Sequence, residues 1–316
     1  LPSASINYLF LIKINYRILQ QKNLPMSFKN TLLHKDFSIN CKGKLLSLAE
    51  PLVMGIINLT DDSFYEGSRS RHWHLVNEQA GKMLEEGATM IDLGAQSTRP
   101  GSGIVGEDEE IERLLPAIHN ILHHHPEAII SIDTYYAKVA EKAILAGASI
   151  INDISAGDMD AGMIETVAGL QVPYIAMHMQ GTPQTMQIDP QYNHVALDVL
   201  DYCAQKLDVC RKAGIKDVII DPGFGFGKTL YHNYSLLQHL ENFKILNAPV
   251  LVGISRKSMI CKLLEITPPQ ALNGTTVLHT LALQKGAHIL RVHDVKAAME
   301  VIRITQFMNA MDKAPM

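Results

Sequence analysis

Charged and amide side chains in this chain gather at the ends of short apolar runs. Asp133 closes "SIDT", Asn152 and Asp153 lie in "INDIS", Asp221 in "IIDPG", and Lys257 in "GISRKSMI". A carboxylate can accept two parallel hydrogen bonds from a guanidine-like edge, and an asparagine can read an amide. Brought together, these groups would bind a flat, nitrogen-rich heterocycle. Each one alone is equally well explained as the cap of a following helix. Only their convergence, with a lysine from a further run, makes a ligand site. In "HILRVHDV" Arg291 and His293 are two residues apart and share one side of a strand, which suits an anion or a salt-bridged arginine beside a structural histidine.

The stretch Asp221 to Thr229, "DPGFGFGKT", looks at first like a phosphate-cradling loop. That loop needs a glycine at position 222, and Pro222 stands there, so the nucleotide-hydrolase reading fails. The alternating glycines still require tight turns or a close approach of something to the backbone. "STRPGS", Ser97 to Ser102, would carry Thr98 and Arg99 on a Gly/Pro loop, and a plain turn accounts for it equally well. His123, His124 and His125 invite a metal, but they precede a strand, at the far end from the polar groups, where basic residues suit a helix C-terminus. Met177 and Met179 alternate by face around His178, so one sulfur could meet a ligand ring.

The elements that must position these residues are also legible. Eight runs are nearly continuous and rich in Ile and Val: Leu52 to Asn58, Met90 to Gly94, Ile129 to Asp133, Ser149 to Ile154, Pro173 to Met179, Val218 to Pro222, Val250 to Ser255 and His288 to His293. Strands buried on both faces of a parallel sheet read this way. Between them lie stretches of helical periodicity, such as Val139 to Ala146 and Leu197 to Ala213, and Gly87, Gly147, Gly214 and Gly286 each stand between such a stretch and the next strand. Eight strand–helix units in about 260 residues suit a (β/α)8 TIM barrel, with a short N-terminal hairpin segment around Asn40 to Gly43. A doubly wound sheet is the alternative, but no G-x-G-x-x-G follows the first strand. In a barrel the strand-end groups Asn58, Asp92, Asp133, Asn152, Asp153, His178, Asp221, Ser255, Arg256, Lys257, Arg291 and His293 all converge on one mouth.

Composition sets limits. With 316 residues, 47% hydrophobic, 19% charged and a net charge of −4, the chain has no basic tract for nucleic acid. Cys41, Cys203, Cys210 and Cys261 form no C-x-x-C pair, which suits a reducing, cytoplasmic setting. Residues 1–25 are expected to be an extension, disordered or foreign to the domain, with 26–316 a single barrel. Their apolar run is broken by Lys13 and Arg17, so neither a signal peptide nor a membrane span is expected.

Taken in order, "MGIINLTDDSF", "IDLGAQSTRPGS", "SIDT", "INDISA", "MHMQGTP", "DPGFGFGK", "GISRKSMI" and "RVHDV" resemble dihydropteroate synthase from about Leu52 to Val295. The resemblance implies a transferase of folate biosynthesis that joins 6-hydroxymethyl-7,8-dihydropterin pyrophosphate to p-aminobenzoate and releases pyrophosphate. It implies a pterin pocket of Asp133, Asn152, Met177, Asp221, Gly253 and Lys257, its wall shaped by the glycine loop with Phe226 and Lys228. Asn58, Thr98, Arg291 and His293 would take pyrophosphate, Asn58 also reaching Mg2+, and Phe64, Thr98, Pro100 and Ser258 would receive p-aminobenzoate. Asp62, Arg99 and Lys257 would be catalytic, Asp62 stabilising a pterin methylene cation. Departures from the family pattern, Asp61 in place of proline and Ala95-Gln96 in place of Gly-Glu, fall on the two loops that would close over the site. Small-molecule substrates, a role as sulfonamide target and a homodimer are further implications. The rival readings are a pterin-dependent methyltransferase and a non-catalytic pterin-binding paralogue.

Overall fold

A computed structural model of the protein describes residues 36–59, 69–96 and 105–311. The eight apolar runs form eight parallel strands: β3 (Leu52–Asn58), β4 (Met90–Gly94), β5 (Ile129–Asp133), β6 (Ile150–Asp153), β7 (Tyr174–Met177), β8 (Val218–Asp221), β9 (Leu251–Val252) and β10 (Ile289–Val292). Their order is β8-β7-β6-β5-β4-β3-β10-β9, and a parallel bridge between Ile220 and Val250 joins the two ends, closing the TIM barrel. Ahead of the barrel, β1 (Ser38–Cys41) and β2 (Lys44–Ser47) form the expected antiparallel hairpin. The expected extension at residues 1–25 lies outside the described residues.

Between strands run α1 (Arg69–Glu85), α2 (Glu107–His124), α3 (Ala137–Leu145), α4 (Met163–Leu170), α5 (Val195–Ala213), α6 (Leu230–Gln238), α7 (Ser258–Leu264), α8 (Leu272–Gln284) and, last, α9 (Val295–Met311). The glycines that punctuate the sequence mark the passages back into strands: Gly87, Gly147, Gly214 and Gly286 all have φ between 96° and 120°. His123 and His124 lie in the last turn of α2, whose first turn holds Glu107, Asp108, Glu109 and Glu110, so both ends complement the helix dipole. No helix among the described residues is long and apolar enough to cross a membrane.

Alternation along the strands divides the interior. One residue from each strand forms an apolar floor: Met54, Met90, Ile129, Ile150, Ile175, Ile219, Leu251 and Ile289. The hairpin region plugs it from below with Ile39, Cys41 and Leu48, and Phe37 and Leu46 pack beside them. The residues between, such as Ile91, Ile151 and Ile220, face outward into the larger core shared with the helices. Above the floor, at the C-terminal ends of the strands, the side chains turn polar.

Candidate functional site

Strand register assembles the mouth. Asn58 pairs with Gly94, Gly94 with Asp133, and Asp133 with Asn152, so one row crosses four strands. Gly94 adds no side chain to that row. A Cβ there would lie 3.7 Å from Asp133 Oδ2 and 3.8 Å from Asn58 Oδ1, so both groups stand over it. On the far side Met177 pairs with Asp221. Gly253 supplies the corresponding gap: a Cβ built on it would be 3.9 Å from Lys257 Nζ and 4.0 Å from Asp221 Oδ2.

Arg291 enters from β10 and is clamped by two carboxylates. Its Nε donates to Asp92 Oδ2 at 2.6 Å and its Nη2 to Asp133 Oδ2 at 2.6 Å. Asn152 Nδ2 donates to the same Asp92 oxygen at 3.1 Å. Burial alone would weaken Arg291's hold on its proton, but Asp92 and Asp133 outweigh it and its pKa rises. Asp133 is pushed up by burial and by the charges of Asp92 and Asp153, against the pull of Arg291. Burial likewise raises Asp221, opposed first by Lys257, and lowers Lys257 to about 8.

Asp221 Oδ1 accepts from the Gly223 N–H at 2.7 Å, while Oδ2 takes no hydrogen bond from the described residues. The glycine loop folds back on the β7 loop, and only glycine fits there. Gly223 has φ of 71° and a Cβ on it would sit 1.8 Å from the His178 carbonyl oxygen. Lys228 holds the loop from inside. Its Nζ donates to Gly223 O at 2.8 Å, Phe226 O at 2.9 Å and His178 Nδ1 at 2.9 Å. Burial lowers Lys228 to about 7, and burial with the Lys228 charge lowers His178 to about 2, fixing that ring as a neutral acceptor. Phe226 packs with Met177, Tyr135 and Ile154, and Lys257 Nζ lies 4.5 Å from its ring centre. Lys257 also donates to the Phe224 carbonyl.

A constellation of carboxylates and an amide over an apolar floor, with a lysine and an arginine beside it, matches a known family. Residues 54–293 match the family described as pterin binding enzyme. Dihydropteroate synthase of Escherichia coli strain K12 is 43% identical over 267 residues, covering 84% of this chain and 94% of that protein. The chain belongs to the dihydropteroate synthase family. The structure of the Xanthomonas albilineans dihydropteroate synthase with 4-aminobenzoic acid superposes with a TM-score of 0.81 at 37% identity, covering 89% of this chain and all of that one. The Yersinia pestis dihydropteroate synthase, solved as a sulfonamide drug complex, gives the same TM-score at 39% identity over 87% of this chain. The protein is accordingly a transferase of folate biosynthesis that makes 7,8-dihydropteroate.

Asn58, Asp133, Asn152, Met177, Asp221 and Arg291 lie toward the C-terminal ends of their strands, and Gly253, Lys257 and His293 follow the ends of β9 and β10. Ser258 opens α7 beside Lys257 and is exposed. Asp62, Phe64, Thr98, Arg99 and Pro100 lie outside the described residues, as does Asp61. Lys228 shapes the pocket wall from within the loop, being only 3% exposed. Three other strand-end groups turn away from the mouth. Asp153 accepts from Ser155, Gly157 and Tyr174, His178 meets Lys228, and Arg256 pairs with Asp294. Asp92 goes the other way. Expected only as one strand-end group among many, it binds two members of the site; its place two residues above the floor residue Met90 was the available signal.

Proposed function

We propose that this mouth binds the pterin through Asp133, Asn152 and Asp221 and the leaving pyrophosphate through Asn58, Arg291 and His293. Asp221 Oδ2 and the Asn152 carbonyl oxygen would take the N–H donors of the aminopyrimidine edge, with Met177, Phe226 and Gly253 as walls. The single observation carrying this reading is Asp221, a buried carboxylate with one oxygen spent on Gly223 and the other left toward the gap at Gly253. Loss of pyrophosphate leaves a resonance-stabilised pterin methylene cation, which the carboxylates stabilise while the positive groups hold the anion. The amine of p-aminobenzoate brings its own lone pair and loses its proton after attack, so no strong base is needed. Lys257, held between Phe224 O and the Phe226 ring, would sit beside the reacting methylene.

Asp62, Arg99 and Thr98 on the first two loops would add cation and anion contacts, and Phe64, Pro100 and Ser258 would receive p-aminobenzoate or a sulfonamide in its place. For Mg2+, the chemistry of Asn58 fits. It presents a carboxamide at the exposed C-terminal end of β3, the lone hard-oxygen ligand that Mg2+ accepts when phosphates and water complete its shell. Bound there, the ion would neutralise charge on the leaving group. The homodimer is proposed on the apolar residues that α7 and α8 expose, among them Leu263, Leu264, Val277 and Leu281. A cytoplasmic location is proposed on the four free cysteines.

Asp221→Asn tests the reading. A hydrogen bond to a charged group contributes roughly 1.5–3 kcal/mol. Calorimetry with 6-hydroxymethylpterin should show affinity falling at least tenfold, and the KM for p-aminobenzoate should change far less. Unchanged pterin affinity would remove Asp221 from the pocket.

A further inference from the structure

Among the described residues, Asp92 is a carboxylate that reaches the site through other side chains, and it does so from the buried interior. It is 0% exposed, on β4, one alternation above the apolar floor. Its Oδ2 gathers Arg291 Nε at 2.6 Å and Asn152 Nδ2 at 3.1 Å. Those donors come from β10 and β6, each two strands from β4 in the order β10-β3-β4-β5-β6. One buried oxygen therefore joins three strands, β4, β6 and β10, within a span of five across the barrel interior.

The consequence for chemistry lies in Asn152. An amide presents either a donor or an acceptor to a ligand, and its own partners decide which. A carboxylate already bonded to a guanidinium can only accept, so Asn152 must turn its Nδ2 down to Asp92 and its Oδ1 away. Arg291 is fixed in the same way. Its planar fork is held at Nε by Asp92 and at Nη2 by Asp133, leaving Nη1 without a bond to the described residues. Stability alone gives no reason for a charge at this depth, because a well-packed apolar side chain would do as well or better.

We propose that Asp92 is a positioning and specificity-determining residue, which sets Asn152 to present its carbonyl oxygen to the N–H donors of a ligand and Arg291 to present its free donor edge to the leaving anion. Asp92 touches no ligand and acts through those two side chains. The proposal rests on the reading of the mouth as the pterin site. It goes beyond it in saying why an amino-pyrimidine edge is chosen over an oxo edge of the same shape.

The test compares 6-hydroxymethylpterin with its 2-oxo counterpart, 6-hydroxymethyllumazine, by calorimetry. The wild-type protein should prefer the amino compound, and Asp92→Asn should cut that preference at least tenfold by letting the Asn152 amide turn over. In an Asn152→Ala background the same substitution should change the preference less than threefold, because the route from Asp92 to the ligand is gone. A folded Asp92→Asn protein with undiminished discrimination overturns the proposal, as do additive effects of the two substitutions. If Asp92→Asn does not fold, nitrogen-15 spectra of the wild-type arginines decide. The proposal requires one Nε–H that exchanges slowly in the free protein and is lost in Arg291→Lys; its absence overturns the proposal. A wild-type protein that binds neither compound would overturn the pterin reading itself.

Discussion

Glu110 shows at the scale of one residue how much the environment decides. It lies in the first turn of α2, is 0% exposed, and has one oxygen, Oε1, without a hydrogen-bond partner among the described residues. The other accepts from Gln96 Nε2 at 3.0 Å. Burial raises its pKa to about 7, against hydrogen bonds from Thr134 and Gln96. Because the folded pKa lies above the unfolded one, the folded state holds the extra proton between them. Its contribution to stability is therefore full at acid pH and is lost as pH rises through 7, at about 1.4 kcal/mol per pH unit. Glu110→Gln should remove that slope, so the variant gains on the wild type in urea unfolding at pH 8 relative to pH 5; a constant difference between the two pH values would contradict this. Lys228 is the converse case, a buried cation whose acceptors are all internal. Lys228→Met strands two carbonyls and the His178 ring and should cost at least about 3 kcal/mol of unfolding free energy. Which groups reach the mouth was only partly legible. Asn152 and Asp153 are adjacent, so alternation along a strand sends one in and the other out. Nothing in the sequence reveals that His178 closes on Lys228, fifty positions away.

Elements carry the site by how their ends are tied. The loop after β9 bears Lys257 and the loop after β10 bears His293, and the two are clamped by Arg256 and Asp294. Arg256 Nε and Nη2 each reach an Asp294 oxygen at 2.7 Å, and Nη1 holds the Pro268 and Pro269 carbonyls at 2.9 Å. The pair is about a quarter exposed, so its share of stability is modest, on the order of 1 kcal/mol. Its geometric effect on the neighbours is larger. Asp294→Ala should raise the KM for pterin pyrophosphate several-fold while lowering the melting temperature by only a few degrees; unaltered KM would show that the two loops hold themselves. The strands were legible because buried parallel strands leave unbroken Ile and Val runs. Their lengths were less so: β9 keeps only Leu251 and Val252, since Pro249 lacks an N–H to donate and Gly253 already opens the pocket. The 3-10 turns Leu240–Leu246 and Pro268–Gln270 carry no periodicity long enough to read.

The whole molecule separates stability from chemistry along the barrel axis. At the bottom lie the floor residues and the hairpin plug; at the top lie the charges, which cost stability to bury. The partition follows from alternation, since each strand gives one inward position to the floor and a later inward one to the site. The hairpin is consequently a purely structural device. Its turn at Lys42 and Gly43, both with positive φ, aims Ile39 and Cys41 at the barrel opening, and the Asn40 N–H anchors it to Asp217 Oδ2 at 2.8 Å. Ile39 is 1% exposed and sits against the floor beneath the site. Ile39→Ala should leave a cavity there and cost about 2–4 kcal/mol, in the range of buried large-to-small substitutions. Because at least one packed layer separates it from Asp92 and the mouth, the KM values for both substrates should stay within a factor of two at temperatures where the variant is folded. Urea unfolding and steady-state kinetics on the same preparation decide this: a matching loss of substrate affinity would mean that the floor transmits its packing to the site, and that the two ends of the barrel are one cooperative unit.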